Sequence, residues 1–500
     1  MVREGIKQPH QEQMWRLLTR DMMEAIDATS YRMLSEVGAF VELDDTINKA
    51  KEIGCEVDPA KKIVKFPEYV VKEQLKRAPR NFFLAARDPK NDVIFEGASR
   101  RTYIMAGHSA TMVQEWDENS KEYTFRDATL QDAMHSCKIM DALDGVDFLF
   151  APPLEDTVAS KAGLLGGITV HELYAELTSI TKHGGAKSSA TNVGEWDYLA
   201  KMAAEVLGGL DEVRKRPLFR SHPIGPGPLQ IPKVACWNFI GAAKYGIPYA
   251  ALTIFPSPGI TTPMTLAGTT AVSHAGTLAY CTLAQAYSPG AIILPNRPIA
   301  PISMRYGSIV ADPAYFLSAG SQVQIWHEMY QLPCMNVYGY SSKEPDIQYM
   351  YENAVALSLS ALYGIDAFDA VCFNFDTECT ESSVMAEEMV RYVKHMMSRF
   401  GDLAPTEENL AYDVIKEAGP MGTTMKSRHT ISHMNLEYNP MLADYRPLAM
   451  YLKDRRTMWD NVRKRAKELE KHEVPALPTD VDERLRALMK EADEKYRKVH

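Results

Sequence analysis

The chain has 500 residues, 46% of them hydrophobic and 24% charged, with a formal net charge of -10. This is an ordinary globular composition, and the length suffices for one large domain with extensions. The acidic balance argues against a nucleic-acid partner. No stretch reaches the roughly 18 apolar residues that a membrane-spanning helix needs. The charged start, MVREGIKQPHQEQMWRLL, is unlike a secretion signal. We therefore expect a cytoplasmic protein with no membrane contact.

The seven cysteines are widely spaced, and no two of them form a CxxC pair. This pattern argues against a disulfide framework or a structural zinc site, so we expect no directly bound metal. His429 and His433 in HTISH have the spacing of a helical metal pair. Because no acidic third ligand lies nearby in the sequence, a role without metal is favoured for this pair.

Residues 1–100 are predicted to form a helical N-terminal extension. LTRDMMEAIDATSYRMLSEVGAF and DDTINKAKEIG carry apolar residues at helical spacing, and Gly54 closes the second segment. KIVKFPEYVVKEQLKRAP adds a short extended piece and a third helix that stops at Pro79.

After residue 100, short apolar runs alternate with longer helical patterns. Continuous apolar runs are typical of strands buried on both faces of a parallel sheet. The predicted strands are RTYIMAG, DFLFAPP, LTSITKHGG, PLFRSHP, YAALTIFPSPG, AIILPN, PCMNVYGY and AFDAVCFNF. About eight repeats of strand, loop and helix predict a (β/α)8 TIM barrel over residues 101–400. A helical C-terminal extension is predicted over residues 401–500.

A doubly wound parallel sheet is the alternative fold. Its nucleotide-binding versions need G-x-G-x-x-G after an early strand or G-x-x-x-x-G-K-[ST], and the chain has neither. H-E-x-x-H and G-x-S-x-G are also missing, which removes the zincin and α/β-hydrolase interpretations.

In a barrel, the residues just after the strands line the active site. Here they are rich in aromatic side chains and histidines: His108, Pro152, Pro153, His183, His222, Phe255, Arg297, Arg305, Tyr338, Tyr340, Phe373, Phe375 and Glu378. Any single histidine or aromatic residue of this set has a structural role as its alternative. Several rings that converge on one mouth would attract a quaternary ammonium group.

Six stretches, in order, resemble the trimethylamine methyltransferase family, whose members methylate corrinoid proteins. They are LTRDMMEAIDATSYRMLSEVGAFVE, RAPRNFFLAARDPKNDVIFEG, TTPMTLAGTTAVSHAGTLAYCTLAQAYSPGAII, SMRYGSIVADPAYFL, GYSSKEPDIQ and LAYDVIKEAGPMGTTMKSRHT. The resemblance covers nearly the whole chain. It implies a (β/α)8 barrel whose mouth binds a methylated amine and docks a separate corrinoid protein, which carries cobalamin as the Co(I) nucleophile.

The founding members of this family act on mono-, di- or trimethylamine and contain pyrrolysine, whereas every residue here is a standard one. The chain therefore resembles the branch that demethylates quaternary amines. Glycine betaine is the leading candidate substrate, and carnitine or proline betaine comes next. A quaternary nitrogen is already charged and departs as a neutral amine, so it needs an aromatic cage rather than protonation.

The resemblance also suggests roles for individual residues. Candidates for binding the cationic head are Tyr338, Tyr340, Phe373, Phe375, Phe255 and Trp237. Candidates for binding a substrate carboxylate are His222, Arg305 and Lys343. Arg305 has a second possible role, orienting the barrel or the corrinoid. The residues expected to face the corrinoid protein are His108, His183 and His429.

Some alternatives stay open. Gly276 stands where an acidic residue is common in the family, which leaves the specificity undecided. A zinc-dependent barrel methyltransferase is one other function, and its ligands would come from Cys334, Cys372, Cys379 and His222. A non-catalytic quaternary-amine binding protein is another. A homo-oligomer is the expected assembly.

Overall fold

The computed structural model describes residues 5–8, 14–97, 101–107, 110–154, 167–188, 190–296, 301–336, 341–371 and 377–496. Its strands are β1 (Ile6–Lys7), β2 (Ala39–Val41), β3 (Glu56–Asp58), β4 (Ile63–Lys65), β5 (Phe82–Leu84), β6 (Val93–Phe95), β7 (Arg101–Ala106), β8 (Met112–Asp117), β9 (Glu122–Asp127), β10 (Phe148–Leu149), β11 (Ala186–Lys187), β12 (Arg220–Ser221), β13 (Ile224–Pro226), β14 (Gln230–Ile231), β15 (Tyr249–Phe255), β16 (Ile293–Pro295), β17 (Met335–Asn336), β18 (Ala367–Val371) and β19 (Thr377–Glu378).

The helices of the described residues are α1 (Arg20–Arg32), α2 (Asp44–Glu52), α3 (Glu68–Lys76), α4 (Leu130–Ala142), α5 (Ile168–Ser179), α6 (Glu195–Leu207), α7 (Leu210–Lys215), α8 (Lys233–Tyr245), α9 (Leu266–Tyr287), α10 (Tyr315–Ile325), α11 (Ile347–Tyr363), α12 (Thr380–Ser398), α13 (Glu407–Leu410), α14 (Tyr412–Ala418), α15 (Arg428–Ser432), α16 (Leu448–Tyr451), α17 (Met458–Leu469) and α18 (Thr479–Tyr496). Two π-helical turns, Met33–Val37 and Trp326–Tyr330, extend α1 and α10.

Two sets of four parallel strands form the centre of the fold. The order is β17-β18-β7-β10 in the first set and β11-β12-β15-β16 in the second. Parallel bridges between Phe148 and His183 and between Asn296 and Met335 connect the two sets. Because these strands are parallel, their carboxyl ends lie at one end of the fold, called here the C-terminal face.

One face of these strands, the inner face, carries its own apolar cluster. Its strand members are Tyr103, Met105, Phe148, Ala186, Ala250, Leu294, Met335 and Ala367. The hairpin of β5 and β6 adds Phe95, whose ring centroid lies 5.3 Å from that of Tyr103 and 6.4 Å from that of Phe148. The hairpin thus covers the inner face at the amino ends of the strands.

The opposite face of the strands packs against helices. Side chains that alternate with the inner ones, such as Ile104, Leu149 and Phe368, join a large core shared with these helices. Helix α9 is buried along most of its length and contacts β15, α1 and α3. Its sequence, TLAGTTAVSHAGTLAYC, is apolar or small on every side because neighbours cover it all round.

One predicted strand is misplaced. LTSITKHGG is not a strand along its length: α5 continues to Ser179, and β11 begins only at Ala186. His183 therefore precedes its strand instead of following it. Strand β4 lies in the short extended piece predicted in KIVKF. Strands β2 and β3 and the hairpin of β8 and β9 were not predicted, because each is short or mostly polar and exposed.

Residues 401–457 form an exposed segment in which Leu442 alone is buried. Tyr438 and the backbone of Met441 and Leu442 hold the segment to Glu388 of α12. Its exposed large apolar side chains are Leu403, Leu410, Tyr412, Ile415, Met421, Met425, Ile431, Met434, Tyr445, Leu448, Met450 and Leu452. Within the described residues, no helix is both long and apolar enough to cross a bilayer.

Candidate active site

A charged side chain lies deep within the inner face. Arg220, on β12, is fully buried, and its two Nη atoms donate to the carbonyl oxygens of Gly184 at 2.7 Å and Leu149 at 2.8 Å. Its guanidinium carbon lies 5.0 Å from the centroid of the Phe148 ring. Burial lowers the pKa of Arg220 to about 9, so the group stays charged at neutral pH. Among the described residues, its Nε atom finds no hydrogen-bond partner.

Carboxylates surround this arginine. Asp369 is fully buried on β18, and the strand alternation places it on the inner face with Ala367. The charges of Asp369 and Glu176 partly offset the effect of burial on the pKa of Arg220. Asp369 was not among the predicted site residues, although an acid inside the apolar strand AFDAV indicates a buried charge.

A second buried cation, Lys187, follows the inner-face residue Ala186 on β11, so the strand alternation turns it toward helix α5. Lys187 Nζ is 2.5 Å from Glu176 Oε1 and 3.8 Å from Glu172 Oε2, and all three side chains are buried. This ion pair therefore joins β11 to α5, whereas Arg220 and Asp369 lie on the inner face.

Two aromatic rings lie where the strands end. Phe150 follows β10 and His222 follows β12, and both are buried. Their ring centroids are 5.6 Å apart in an edge-to-face arrangement. His222, predicted to bind a substrate carboxylate, is thus at the C-terminal face next to an aromatic partner that the sequence analysis did not select.

Several predicted site residues fall outside the described residues. They are His108, Arg297, Tyr338, Tyr340, Phe373 and Phe375. Their roles stay predictions.

The remaining two aromatic candidates lie in different places. Phe255 ends β15, where it pairs with Pro226 and is partly buried. Trp237 lies on the outer helix α8, and Lys233 Nζ is 5.1 Å from the centroid of its ring. Because a cation of the same helix already covers that ring, we do not retain Trp237 as a substrate residue.

The two further cationic candidates are exposed. Arg305 lies between Ile302 and Ile309, which form an antiparallel bridge, and its guanidinium carbon is 6.0 Å from the Tyr306 ring centroid. Lys343 Nζ donates to the Ser341 carbonyl oxygen at 2.8 Å. These positions suit contact with a second protein better than enclosure of a small ligand.

His183 does not have the environment predicted for it. Its side chain is fully buried, and Nδ1 lies 2.7 Å from the Ala85 carbonyl oxygen, beside the hairpin that covers the amino ends of the strands. Burial and the charge of Arg220 lower the pKa of His183 to about 3, so the imidazole is neutral. Because His183 is buried at the amino ends of the strands, it does not face a partner protein. The predicted role was wrong because β11 begins after His183 and not before it.

His429 lies in the exposed segment 401–457. Its ring stacks on His433 with centroids 4.2 Å apart, and its Nε2 is 3.1 Å from the Glu408 carbonyl oxygen. It is reachable from solvent, so a partner-facing role stays a prediction.

Glu378 ends β19, next to the C-terminal face. Ser136 Oγ donates to its Oε1 at 3.1 Å. Burial raises the pKa of Glu378 to about 7, because an apolar surrounding disfavours the charged carboxylate. It is a carboxyl group that changes charge near neutral pH.

The cysteines considered as zinc ligands do not gather around His222. Cys334 precedes β17 and lies 3.6 Å, Sγ to Nε2, from His327. It is therefore at the opposite end of the strands from His222. Cys379 donates to Glu381, and Cys372 is outside the described residues. The geometry gives the proposed catalytic zinc site no support.

Parallel strands inside a helical layer, with buried charges and aromatic rings at their carboxyl ends, define an α/β enzyme. The sequence matches the family model described as "Trimethylamine methyltransferase (MTTB)" over residues 3–496, and the chain belongs to this family. It is a methyltransferase.

Two curated relatives and one solved structure illustrate the similarity. Trimethylamine methyltransferase MttB of Desulfitobacterium hafniense (strain DSM 10664 / DCB-2) is 28% identical, with 94% of this chain and 93% of the relative covered. A glycine betaine methyltransferase of Desulfitobacterium hafniense (strain Y51) is 26% identical, with 95% and 96% covered. The hydroxylamine complex of MtmB has a TM-score of 0.52 at 14% identity, covering 91% of this chain and 88% of that one. The likeness establishes a shared mixed α/β fold.

Proposed function

We propose that this enzyme transfers a methyl group from a quaternary amine to the corrinoid of a separate corrinoid protein, with glycine betaine as the leading substrate. The observation that carries the proposal is the buried pair of Arg220 and Asp369 on the inner face, beside Phe150 and His222. Carnitine and proline betaine are the next candidates. The relative named a glycine betaine methyltransferase and the absence of any nonstandard residue in the sequence support a quaternary substrate.

We also infer that the eight parallel strands close into a (β/α)8 barrel. The two bridges between the four-stranded sets support closure, because they connect β10 with the segment before β11 and β16 with β17. The inner-face cluster is the packed interior that such a barrel requires. The boundaries at residues 100 and 400, with extensions on either side, stay part of this proposal.

Glycine betaine carries a quaternary ammonium group and a carboxylate, and the buried site offers a counterpart to each. The carboxylate of Asp369 suits the cation, and aromatic faces such as that of Phe150 add to the attraction. The free Nε–H of Arg220 and the imidazole of His222 suit the substrate carboxylate. The predicted aromatic residues at 338, 340, 373 and 375, together with Phe255, would complete the cage.

The residues of this chain orient and desolvate the substrate, and they do not supply the nucleophile. A buried site holds one methyl carbon toward the opening and excludes water. The corrinoid, when bound, supplies the nucleophilic acceptor of the methyl group. No protonation is needed, because the amine leaves as a neutral molecule.

The loops after β15 and β16 are suited to dock the corrinoid protein. Ile260, Met264, Met304 and Tyr306 are exposed there. The sulfur atoms of Met264 and Met304 both lie within 3.8 Å of the position that a Cβ atom would take on Gly259, so the two loops meet. Methionine-rich surfaces adapt to partners, and Arg305 lies on the same loop.

The exposed segment 401–457 is suited to self-association. Stable interfaces bury about 800 Å² per partner, and permanent ones are the more apolar. The segment exposes twelve large apolar side chains. Such a surface fits a permanent interface between two copies better than a transient complex with a corrinoid protein.

We place the reaction in the cytoplasm. Six cysteines of the described residues are buried thiols, which suits a reducing compartment.

The test uses the purified enzyme with a reduced corrinoid protein. Glycine betaine, carnitine, proline betaine, choline and trimethylamine are offered separately, and the corrinoid spectrum and the demethylated amine are followed. We expect turnover with one quaternary amine and none with trimethylamine. Turnover of trimethylamine alone would overturn the substrate class. Tight binding of a quaternary amine without turnover would favour a non-catalytic binding protein.

A further inference from the structure

A cluster of potential metal ligands lies at the opposite end of the strands from the candidate active site. His327 belongs to the turn Trp326–Tyr330, Cys334 directly precedes β17, and Asp366 directly precedes β18. His327 Nε2 lies 2.6 Å from Asp366 Oδ2 and 3.6 Å from Cys334 Sγ. All three ligand atoms lie within 4.8 Å of one another.

The arrangement differs from a Cys–His–Asp catalytic relay. In such a relay, the carboxylate contacts one imidazole nitrogen and the thiol the other. Here Asp366 and Cys334 both approach the same nitrogen, Nε2. Three donor atoms that converge on one point are the arrangement of ligands around a common ion.

A second observation concerns the carboxylate of Asp366. The residue is fully buried, and its Oδ1 atom has no hydrogen-bond partner in the described part of the chain. A buried acceptor without a partner costs free energy, so such an atom calls for an explanation. A cation bound by both carboxylate oxygens of Asp366 would neutralise the carboxylate and provide that partner.

The backbone holds the ligands in place before any ion binds. The Cys334 N–H donates to Asp366 Oδ2 at 2.7 Å, and the Asp366 N–H donates to the Cys334 carbonyl oxygen at 3.1 Å. The side chain of His327 is 17% exposed, whereas that of Asp366 is fully buried. An ion and a water ligand would therefore enter from the His327 side.

The ligand types select the ion. A thiolate, an imidazole and one carboxylate suit Zn²⁺, whereas Mg²⁺ and Ca²⁺ need more oxygen ligands. Tetrahedral zinc with ordinary bond lengths separates a sulfur and a nitrogen ligand by about 3.5 Å, and a nitrogen and an oxygen ligand by about 3.3 Å. The Sγ–Nε2 distance already fits, and the Nε2–Oδ2 distance must open by about 0.7 Å on the same geometry.

We propose that His327, Cys334 and Asp366 form a structural site for Zn²⁺ at the amino ends of β17 and β18. The ion joins the turn after α10 to the starts of two neighbouring strands. It lies apart from the residues assigned to methyl transfer and takes no part in the chemistry. The proposal does not depend on which amine is the substrate.

The test is a titration of the full chain, stripped of metal with a chelator, with Co²⁺ and then Zn²⁺. We expect one equivalent of Co²⁺ to give a thiolate charge-transfer band and tetrahedral visible bands, which one equivalent of Zn²⁺ removes. C334S should lose the charge-transfer band, and H327Q should weaken Zn²⁺ binding at least tenfold. C55S removes a buried thiol elsewhere, and H433Q breaks the surface histidine pair, so both controls should behave like the wild type.

Two results would overturn the proposal: no stoichiometric binding to the wild-type chain, or a charge-transfer band that persists in C334S. If C334S does not fold, X-ray absorption of the zinc-loaded wild type decides the matter. One sulfur and two or three nitrogen or oxygen ligands are expected, and a shell without sulfur would contradict the site.

Discussion

Lys187 Nζ donates a 2.5 Å hydrogen bond to Glu176 Oε1, and both side chains are buried. Lys187→Met leaves a carboxylate buried without its partner, so we expect a loss of about 3 to 5 kcal/mol in the free energy of unfolding. The double variant K187M/E176L, which removes both charges, should recover much of that loss. Urea denaturation measures both. Equal destabilisation of the single and double variants would show that the unpaired carboxylate is not the cause of the loss in stability.

Asp369→Asn tests the counter-charge proposed for the substrate cation. The change removes one buried negative charge without altering the volume, so we expect KM for the quaternary amine to rise at least tenfold, with a smaller change in kcat. D369E, which keeps the charge, should retain more affinity than D369N. Steady-state kinetics of both variants, with melting curves to confirm folding, give the answer. Unchanged KM in D369N would remove Asp369 from the substrate site.

Glu378→Gln should alter how stability depends on pH. The pKa of Glu378 is about 7 in the folded protein and near its ordinary value of 4.5 in the unfolded chain. Between pH 4.5 and pH 7, Glu378 is protonated in the folded protein and ionised in the unfolded chain. The stability that this group contributes is therefore fully present below pH 4.5 and is lost as the pH rises through 7.

The glutamine variant stays neutral and should lack this loss, which amounts to at most about 3 kcal/mol. Urea denaturation at several pH values compares E378Q with the wild type. E344Q, which removes an exposed carboxylate from a nearby loop, is the control. Parallel pH profiles for E378Q and the wild type would contradict the expected shift.

Gly241→Ala tests the packing between α8 and α6. A Cβ atom at Gly241 would overlap the indole ring of Trp196, which is fully buried. We expect G241A to destabilise the protein by about 1 to 3 kcal/mol, as overpacking of a rigid core does. A Cβ atom added at Gly401 would meet open space, so G401A should change stability by much less. A thermal melt distinguishes the two. Similar melting temperatures for both variants would show that α8 shifts to accept the methyl group.

Met421→Asp together with Leu410→Asp tests self-association through the segment 401–457. Both side chains are exposed, at 106% and 63%, so the changes should leave the fold of one copy intact. Charges at an apolar interface are desolvated without partners, and we expect the dimer to dissociate at least a hundredfold more readily. Light scattering after gel filtration measures the mass. The control is the surface variant M304D/I260D, which adds the same two charges outside the segment. A wild-type chain that is already monomeric would contradict the interface.

The positions of the parallel strands could be predicted because they depend on local sequence. Apolar runs such as YAALTIF and AFDAV are too continuous for a solvent-facing sheet, and β15 and β18 occur where these runs predict them. The exception is LTSITKHGG. The apolar pattern of its residues up to Ser179 is compatible with a helix as well as with a strand. Only the packing of α5 decides between the two.

The sequence by itself determined the family, the α/β class and most strand positions, since local hydrophobic patterns and ordered motifs are properties of the chain alone. The tertiary structure decided which side chains meet. It places Asp369, 149 residues along the chain, and Glu176, 44 residues before, near Arg220. It also turns His183 toward Ala85 and brings Cys334 to His327 and Asp366. Such encounters depend on strand order and register, which no local pattern encodes.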